Sequence, residues 1–420
     1  MKVGEINYYT HSSKTNCVFV DNKKLPLISI DIWCKAGSSF DDVGKNGTAH
    51  FLEHMIFKGS NTIMPGEFDH KIESLGGISN ASTGYDDVHY YVLIPPHNFR
   101  ESLALLTNIV LNPEFNPNEF NKEKRVVIDE IKQQNDQPDE KLFNYFLKRV
   151  WRNNIYSKSI LGSEESVLKL GIQDLEKFHR NHYTSEKICI AIAGNLSKHI
   201  YQDFEKSNLS AFNKKGFFNQ SSFSQHKNYK SISLGRTGRE EINFDKIEFS
   251  RIFMAWNIPS QNYQKYIIGL EILASILTVG RNSRLVKVLK EEKNLVESIY
   301  VDINSGEFGG LLIIEACCEN ENLKIAEKKI NEIIEGILDY KNLNKDEIKK
   351  AINIVKSNYF FNLETSTQLT SFYGNELLWG RKYSMKKIEG YFKYWNNLKN
   401  FKEIIKFLSK DKFTLIATPK

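Results

Sequence analysis

The second half of the sequence repeats the plan of the first, which limits the fold to a pair of related units. Residues 249–256 stand where the strand-like run 27–34 stands, and 266–277 stand where the apolar helix around position 52 stands. Residues 308–314 parallel 88–94, 343–348 parallel 115–120, and 413–418 parallel 188–194. Strand-like runs rich in β-branched and aromatic residues alternate with amphipathic helical stretches, a pattern of packed α and β layers. With 420 residues, 41% of them hydrophobic, two such units can each bury a core. We expect an N-terminal domain over 1–211, a linker over 212–230 where the sequence turns polar and loop-like, and a C-terminal domain over 231–420.

The halves differ where chemistry is concerned. The first contains His50-Phe51-Leu52-Glu53-His54, read as a helix; the matching stretch of the second has no histidine. Positions four apart share a helical face, so both imidazoles can reach one metal ion. Glu53 stands at the edge of that face, close to the ion without being needed as a ligand. Flanking Phe51, Leu52, Met55, Ile56 and Phe57 bury the helix. Histidines that merely satisfy hydrogen bonds in a buried helix are the alternative, but two imidazoles and a carboxylate on one buried face need partners, which a metal supplies. A divalent ion beside a free carboxylate is equipment for hydrolysis.

Two histidines leave one protein ligand to find. A helix expected over about 119–135 carries Glu123 and Glu130, two turns apart on one face. Glu130 has apolar neighbours and completes a His₂Glu set, one of the ligand sets of catalytic zinc. Glu123 then sits behind it, as a second acid that supports the site or faces the substrate.

Composition excludes other classes. Net charge is +6 and spread along the chain, so no nucleic-acid stripe exists. Five cysteines, an odd number without a Cys-x-x-Cys pair, fit a reducing compartment. The N-terminus lacks an apolar signal region and no run of 18 apolar residues occurs, so a cytoplasmic location without membrane contact is expected. Locally, 16–20 and 27–34 read as two strands around a turn. Thr48 is a plausible cap of the histidine helix, which should end at Gly59. Residues 139–170 read as helical with Trp151 in the core, and His70, His89, His179 and His182 as surface or packing residues.

The chain resembles the pitrilysin or insulinase family of inverted-motif zinc peptidases, most of all its short bacterial and mitochondrial-processing-peptidase branch. The resemblance rests on the segment 50–59, on Leu75-Gly76-Gly77 with Asn80-Ala81, and on Arg125-Val126-Val127-Ile128-Asp129-Glu130-Ile131, with His54 and Glu130 76 positions apart. It implies one zinc ion per chain held by His50, His54 and Glu130, with Glu53 as general base and Glu123 as a catalytic acid near the site. The implied fold is α+β: two homologous domains, each a mostly antiparallel sheet flanked by helices. It also implies two chains closing like a clam around a chamber, and peptide substrates bound as an added strand along residues 77–83, with Asn80, Ala81 and Ser82 in contact.

One departure stands out. The family's second domain often presents an arginine and, about a dozen residues later, a tyrosine. Here Arg284 remains, but the tyrosine position is Glu297, with Tyr300 nearby. A carboxylate there would not stabilise an oxyanion as a phenol does. The expected activity is a zinc endopeptidase acting on short or unfolded peptides in a dimeric chamber, where a homodimer would use Arg284 and Tyr300. The alternative is the zinc-bearing subunit of a heterodimer whose paralogous partner supplies the pair, with little activity alone.

Overall fold

The computed structural model describes residues 4–209, 232–381 and 385–420. The linker expected over 212–230 lies outside the described residues. The first elements in chain order are β1 (Glu5–Thr10), β2 (Asn16–Asp21), β3 (Ile28–Cys34), α1 (Thr48–Ile56), α2 (Glu67–Ser74), β4 (Ile78–Thr83) and β5 (Val88–Ile94). Next come α3 (Phe99–Leu111), α4 (Pro117–Asp136), α5 (Pro138–Trp151), α6 (Glu164–Leu168), α7 (Ile172–His182), β6 (Ile188–Gly194) and α8 (Ile200–Glu205). The rest of the chain forms β7 (Gly238–Phe244), β8 (Ser250–Ile258), α9 (Gln264–Thr278), β9 (Ser298–Ser305), β10 (Gly310–Cys318), α10 (Leu323–Leu338), α11 (Lys345–Phe361), α12 (Ser366–Leu378), α13 (Met385–Trp395), α14 (Lys402–Leu408) and β11 (Lys412–Pro419).

The first compact unit comprises Met1–Gln133, Ser159–Gln225 and Phe360–Lys382. Among its described residues, six strands pair in the order β1-β2-β6-β3-β5-β4, antiparallel except for β2 with β6. The second unit comprises Gln134–Lys158, His226–Tyr359 and Tyr383–Lys420. Its described strands pair in the order β7-β11-β8-β10-β9, antiparallel except for β7 with β11. The duplication read from the sequence is therefore visible as topology: β3, β5 and β6 have their counterparts in β8, β10 and β11. Each unit also includes a helix from the opposite half of the sequence, α12 in the first and α5 in the second.

Three local expectations change. The strands 16–20 and 27–34 do not form a hairpin: β6 lies between β2 and β3. All seven residues of β6 are buried, and a strand apolar on both faces belongs in the middle of a sheet. Thr48 does not cap α1. The Asp41 carboxylate does so, accepting from Gly47 N at 2.7 Å and Ala49 N at 2.9 Å, and the helix closes at Ile56. The helix expected through 139–170 stops at Trp151. Arg152 follows with φ +52°, and the rest of that stretch holds only a single turn at Ile155–Ser157 and the short α6.

In the first unit the helices α1, α3, α4 and α7 bury one face of the sheet. Ile28, Ile30, Ile32, Tyr90, Val92, Ile190 and Ile192 meet Phe51, Leu52, Met55 and Leu106 there. The strand period of two sends Ser29, Asp31, Trp33, His89 and Tyr91 to the other face, where α12 covers β3 and β6. Thr370 Oγ1 lies 2.9 Å from Ser29 Oγ, and Cys189 Sγ donates to Gly374 O at 3.2 Å.

Candidate metal centre

On α1 the rings of His50 and His54 are 4.8 Å apart between centroids and inclined by 68°. α4 packs its Phe120 ring at 4.9 Å from Phe51, which brings its Glu130 over the two imidazoles. Glu130 Oε2 lies 3.7 Å from His50 Nε2 and 3.5 Å from His54 Nε2. One donor atom from each of the three lies within 4.8 Å of the others, and among the described residues no other group of three His, Cys, Asp or Glu side chains converges in this way. Ligand atoms about 2.0–2.1 Å from a tetrahedral ion stand roughly 3.3 Å from one another. Two imidazole nitrogens and a carboxylate oxygen at these separations fit a zinc ion and leave a fourth position free.

Electrostatics follow from burial and the carboxylates. Burial and the neighbouring His54 push His50 down to about 4, against the pull of Glu130. Burial also opposes charge on His54, but hydrogen bonds to Glu123 and Glu130 outweigh it and raise the ring to about 9. The hydrogen bond from His54 holds Glu130 below its usual range, although burial works the other way. A metal ion competes with protons for such nitrogen and oxygen ligands, so zinc binding here would release protons.

The remaining expected residues are placed as follows. Glu53 points from α1 to β4, where Thr83 donates its hydroxyl to Glu53 Oε2. Burial raises its carboxyl above the usual range, partly offset by that hydrogen bond. Glu123 is buried, with Oε2 at 3.2 Å from His54 Nδ1 and Oε1 at 2.8 Å from Lys58 Nζ. Asn80, Ala81 and Ser82 lie on β4, an edge strand of the first sheet. In the second unit, Arg284 is gripped by Glu347, with Nε at 3.0 Å and Nη2 at 2.6 Å, while Tyr300 is 62% exposed on β9. His179 and His182 hydrogen-bond the carbonyls of Val110 and Lys35, as packing residues would.

Sequence reasoning missed the roles of Lys58, Thr83 and Asp41. Lys58 had a signal, since it follows His54 by four positions. Thr83 and Asp41 reach α1 only through tertiary structure.

The description Insulinase (peptidase family M16) matches residues 17–164, and Peptidase M16 inactive domain matches 169–355. The chain belongs to the insulinase family. An uncharacterized zinc protease of Bacillus subtilis, YmxG, is 27% identical over 390 residues, which cover 91% of each chain. A probable mitochondrial-processing peptidase subunit beta of Arabidopsis thaliana is 32% identical over 173 residues, 41% of this chain and 33% of that one. The crystal structure of a protease from Helicobacter pylori superposes with a TM-score of 0.85 at 20% identity, covering 99% of this chain and 100% of that chain. The two-unit α+β architecture is therefore that of the insulinase-family peptidases. Among the described residues no helix is long and apolar enough to cross a membrane.

Proposed function

We propose that the chain is a zinc-dependent metalloendopeptidase that hydrolyses short or unfolded peptides. The convergence of His50 Nε2, His54 Nε2 and Glu130 Oε2 carries this reading. These three side chains would hold the ion, which when bound supplies Lewis acidity toward a carbonyl and a water molecule. Glu53 takes the proton of the attacking water on its carboxylate and returns it to the leaving amine. Thr83 holds the Glu53 carboxylate at the rim of β4. Glu123 fixes the His54 ring through Nδ1, a positioning role, and Lys58 anchors Glu123 in turn.

The substrate joins β4 as an added strand. Along this edge the Asn80 side chain accepts from Ala81 N at 2.8 Å, a bond that an incoming strand would replace. Such pairing reads a peptide by shape more than by sequence. Asn80, Ala81 and Ser82 would supply these contacts in a chamber closed by two chains.

A second reading makes this chain the zinc-bearing subunit of a heterodimer, inactive alone. The hold of Glu347 on Arg284 favours it, as does a carboxylate, Glu297, at the expected tyrosine position. One relative, from Arabidopsis thaliana, is itself named as a subunit. In this form a paralogous partner provides the cationic and phenolic groups; in the homodimer they are Arg284 and Tyr300.

The test is elemental analysis with peptide-library cleavage. The purified chain should hold one zinc ion, and Glu130→Gln should lose it. A Glu130→Gln protein that retains stoichiometric zinc would overturn the ligand set. Cleavage that appears only after a co-expressed paralogue is added selects the heterodimer.

A further inference from the structure

The face of the first sheet turned away from α1 carries a row of aligned rings. Cross-strand partners lie directly opposite and share a face. Trp33 of β3 pairs with His89 of β5, and His89 pairs with Ser82 of β4; in the next row Asp31 pairs with Tyr91, and Tyr91 with Asn80. The Trp33 and His89 rings stack at 4.2 Å and 11°, and His89 and Tyr91 lie at 6.0 Å and 15°. Buried Asp31 fixes the imidazole, with its Oδ1 at 3.1 Å from His89 Nδ1. α12 covers the Trp33 end of this row, whereas His89 and Tyr91 remain partly exposed. Between the imidazole and the sheet edge stands only the small, exposed Ser82.

We propose that His89, Tyr91 and Ser82 form a subsite for an aromatic side chain of the peptide substrate. The proposal rests on the reading of the substrate as a strand added to β4. Side chains of such a strand alternate between faces. Those opposite Thr83 and Ala81 share the face of Glu53 and α1, since Thr83 reaches Glu53 and Ala81 packs on the core there. Those opposite Ser82 and Asn80 turn to the ring row. A side chain opposite Ser82 lies over a residue too small to fill the space and against an imidazole held by Trp33 and Asp31. A planar ring there extends the stack, and protonation of His89 adds a cation–π attraction. An aliphatic side chain gains only contact area. The preference should alternate along the peptide: strong at one position, absent at its neighbours.

The experiment measures binding, so turnover does not enter it. Fluorescence anisotropy of a labelled decapeptide series is recorded on the full chain carrying Glu53→Gln, with a single Phe scanned through a parent peptide. Phe at the favoured position should bind about five to ten times tighter than Ala. Ser82→Leu, at an exposed site, should abolish that ratio, and His89→Ala should do the same, while His89→Phe restores it. A ratio near one at every position in the unsubstituted chain overturns the subsite, and so does a ratio that survives both substitutions. A second series N-methylates single backbone amides of the parent. Weaker binding at alternate amides together with no Phe effect removes the subsite but keeps strand addition. Indifference to N-methylation at every position removes strand addition, and the subsite with it.

Discussion

Glu123 stands behind His54, its Oε2 at 3.2 Å from Nδ1, so the ring is held from the side opposite Glu130. A carboxylate accepting the Nδ1 proton selects the tautomer whose Nε2 lone pair faces the site. Glu123 is buried, and its charge is balanced by Lys58 at 2.8 Å. Burial opposes its ionisation, but the hydrogen bonds from His54 and Lys58 win and keep the carboxyl below its usual range. Glu123→Ala should weaken zinc binding about 10–100-fold, as loss of such outer partners does. Lys58→Ala acts one step further out and should cost less. Competition with a chromogenic chelator measures both. Equal affinities in wild type and Glu123→Ala would deny Glu123 its positioning role.

Glu53 is one residue from a proposed ligand, yet its side chain leaves the ligand cluster for Thr83 on β4. Glu53→Gln should therefore keep its zinc, as read by elemental analysis. Peptide cleavage should fall by about two to four orders of magnitude. Thr83→Val leaves the carboxylate in place without its anchor, so its kcat should fall by a smaller factor with KM little changed. Full turnover in a zinc-replete Glu53→Gln protein would remove Glu53 from the proton path.

Much of this site was legible in the sequence because it sits on helices. The spacing of His50, Glu53 and His54 is local, and a helix converts spacing into direction with little help from the rest of the chain. Glu130 needed a second helix to arrive, and the His₂Glu rule supplied the reason to look for one. The sheet was less legible. The stretches that form β2 and β3 showed their strand character but not their separation, because the intervening β6 comes more than 150 residues later. The exchange of α5 and α12 between units leaves no local signal at all. α5 is amphipathic, which says that a face is buried without saying against which sheet. α12 buries a face that includes Ser366, Thr370, Gly374 and Glu376, with little apolar pattern to read. Asp41 capping α1 is illegible for the same reason, since a cap seven positions upstream of Thr48 depends on the path of a loop.

α12 packs so closely on β3 that its Gly374 leaves no room for a side chain. A Cβ there would stand 2.5 Å from Cδ1 and Nε1 of Trp33 and 3.2 Å from Ala191 Cβ. Gly374→Ala should destabilise the protein by about 1–3 kcal/mol through overpacking. That outweighs the gain of up to about 1 kcal/mol from helix propensity. Gly336 on α10 is the internal control, because it is exposed and a Cβ there would meet nothing within 4 Å. Gly336→Ala should raise the melting temperature slightly, where Gly374→Ala lowers it. Thermal denaturation of the two variants side by side separates packing from propensity.

Glu271 on α9 offers a pH test away from the metal centre. Its Oε2 is buried without a hydrogen-bond partner, and burial raises the carboxyl from 4.5 to about 7, despite a hydrogen bond from Tyr359 that works against the rise. The folded protein therefore keeps a proton there that the unfolded chain releases near the ordinary carboxylate value. Between those two values the unfolded state gains by ionising while the folded state does not, so stability falls as pH rises through the window and levels off above about 7. Each unit of difference is worth about 1.36 kcal/mol, which sets an upper limit of about 3 kcal/mol for the loss. Glu271→Gln removes the ionisation. The variant should match the wild type near pH 4.5 and be more stable at about pH 8, by up to that amount in denaturant melts. A stability difference that does not change between these pH values would mean that Glu271 ionises as readily in the folded chain as in the unfolded one.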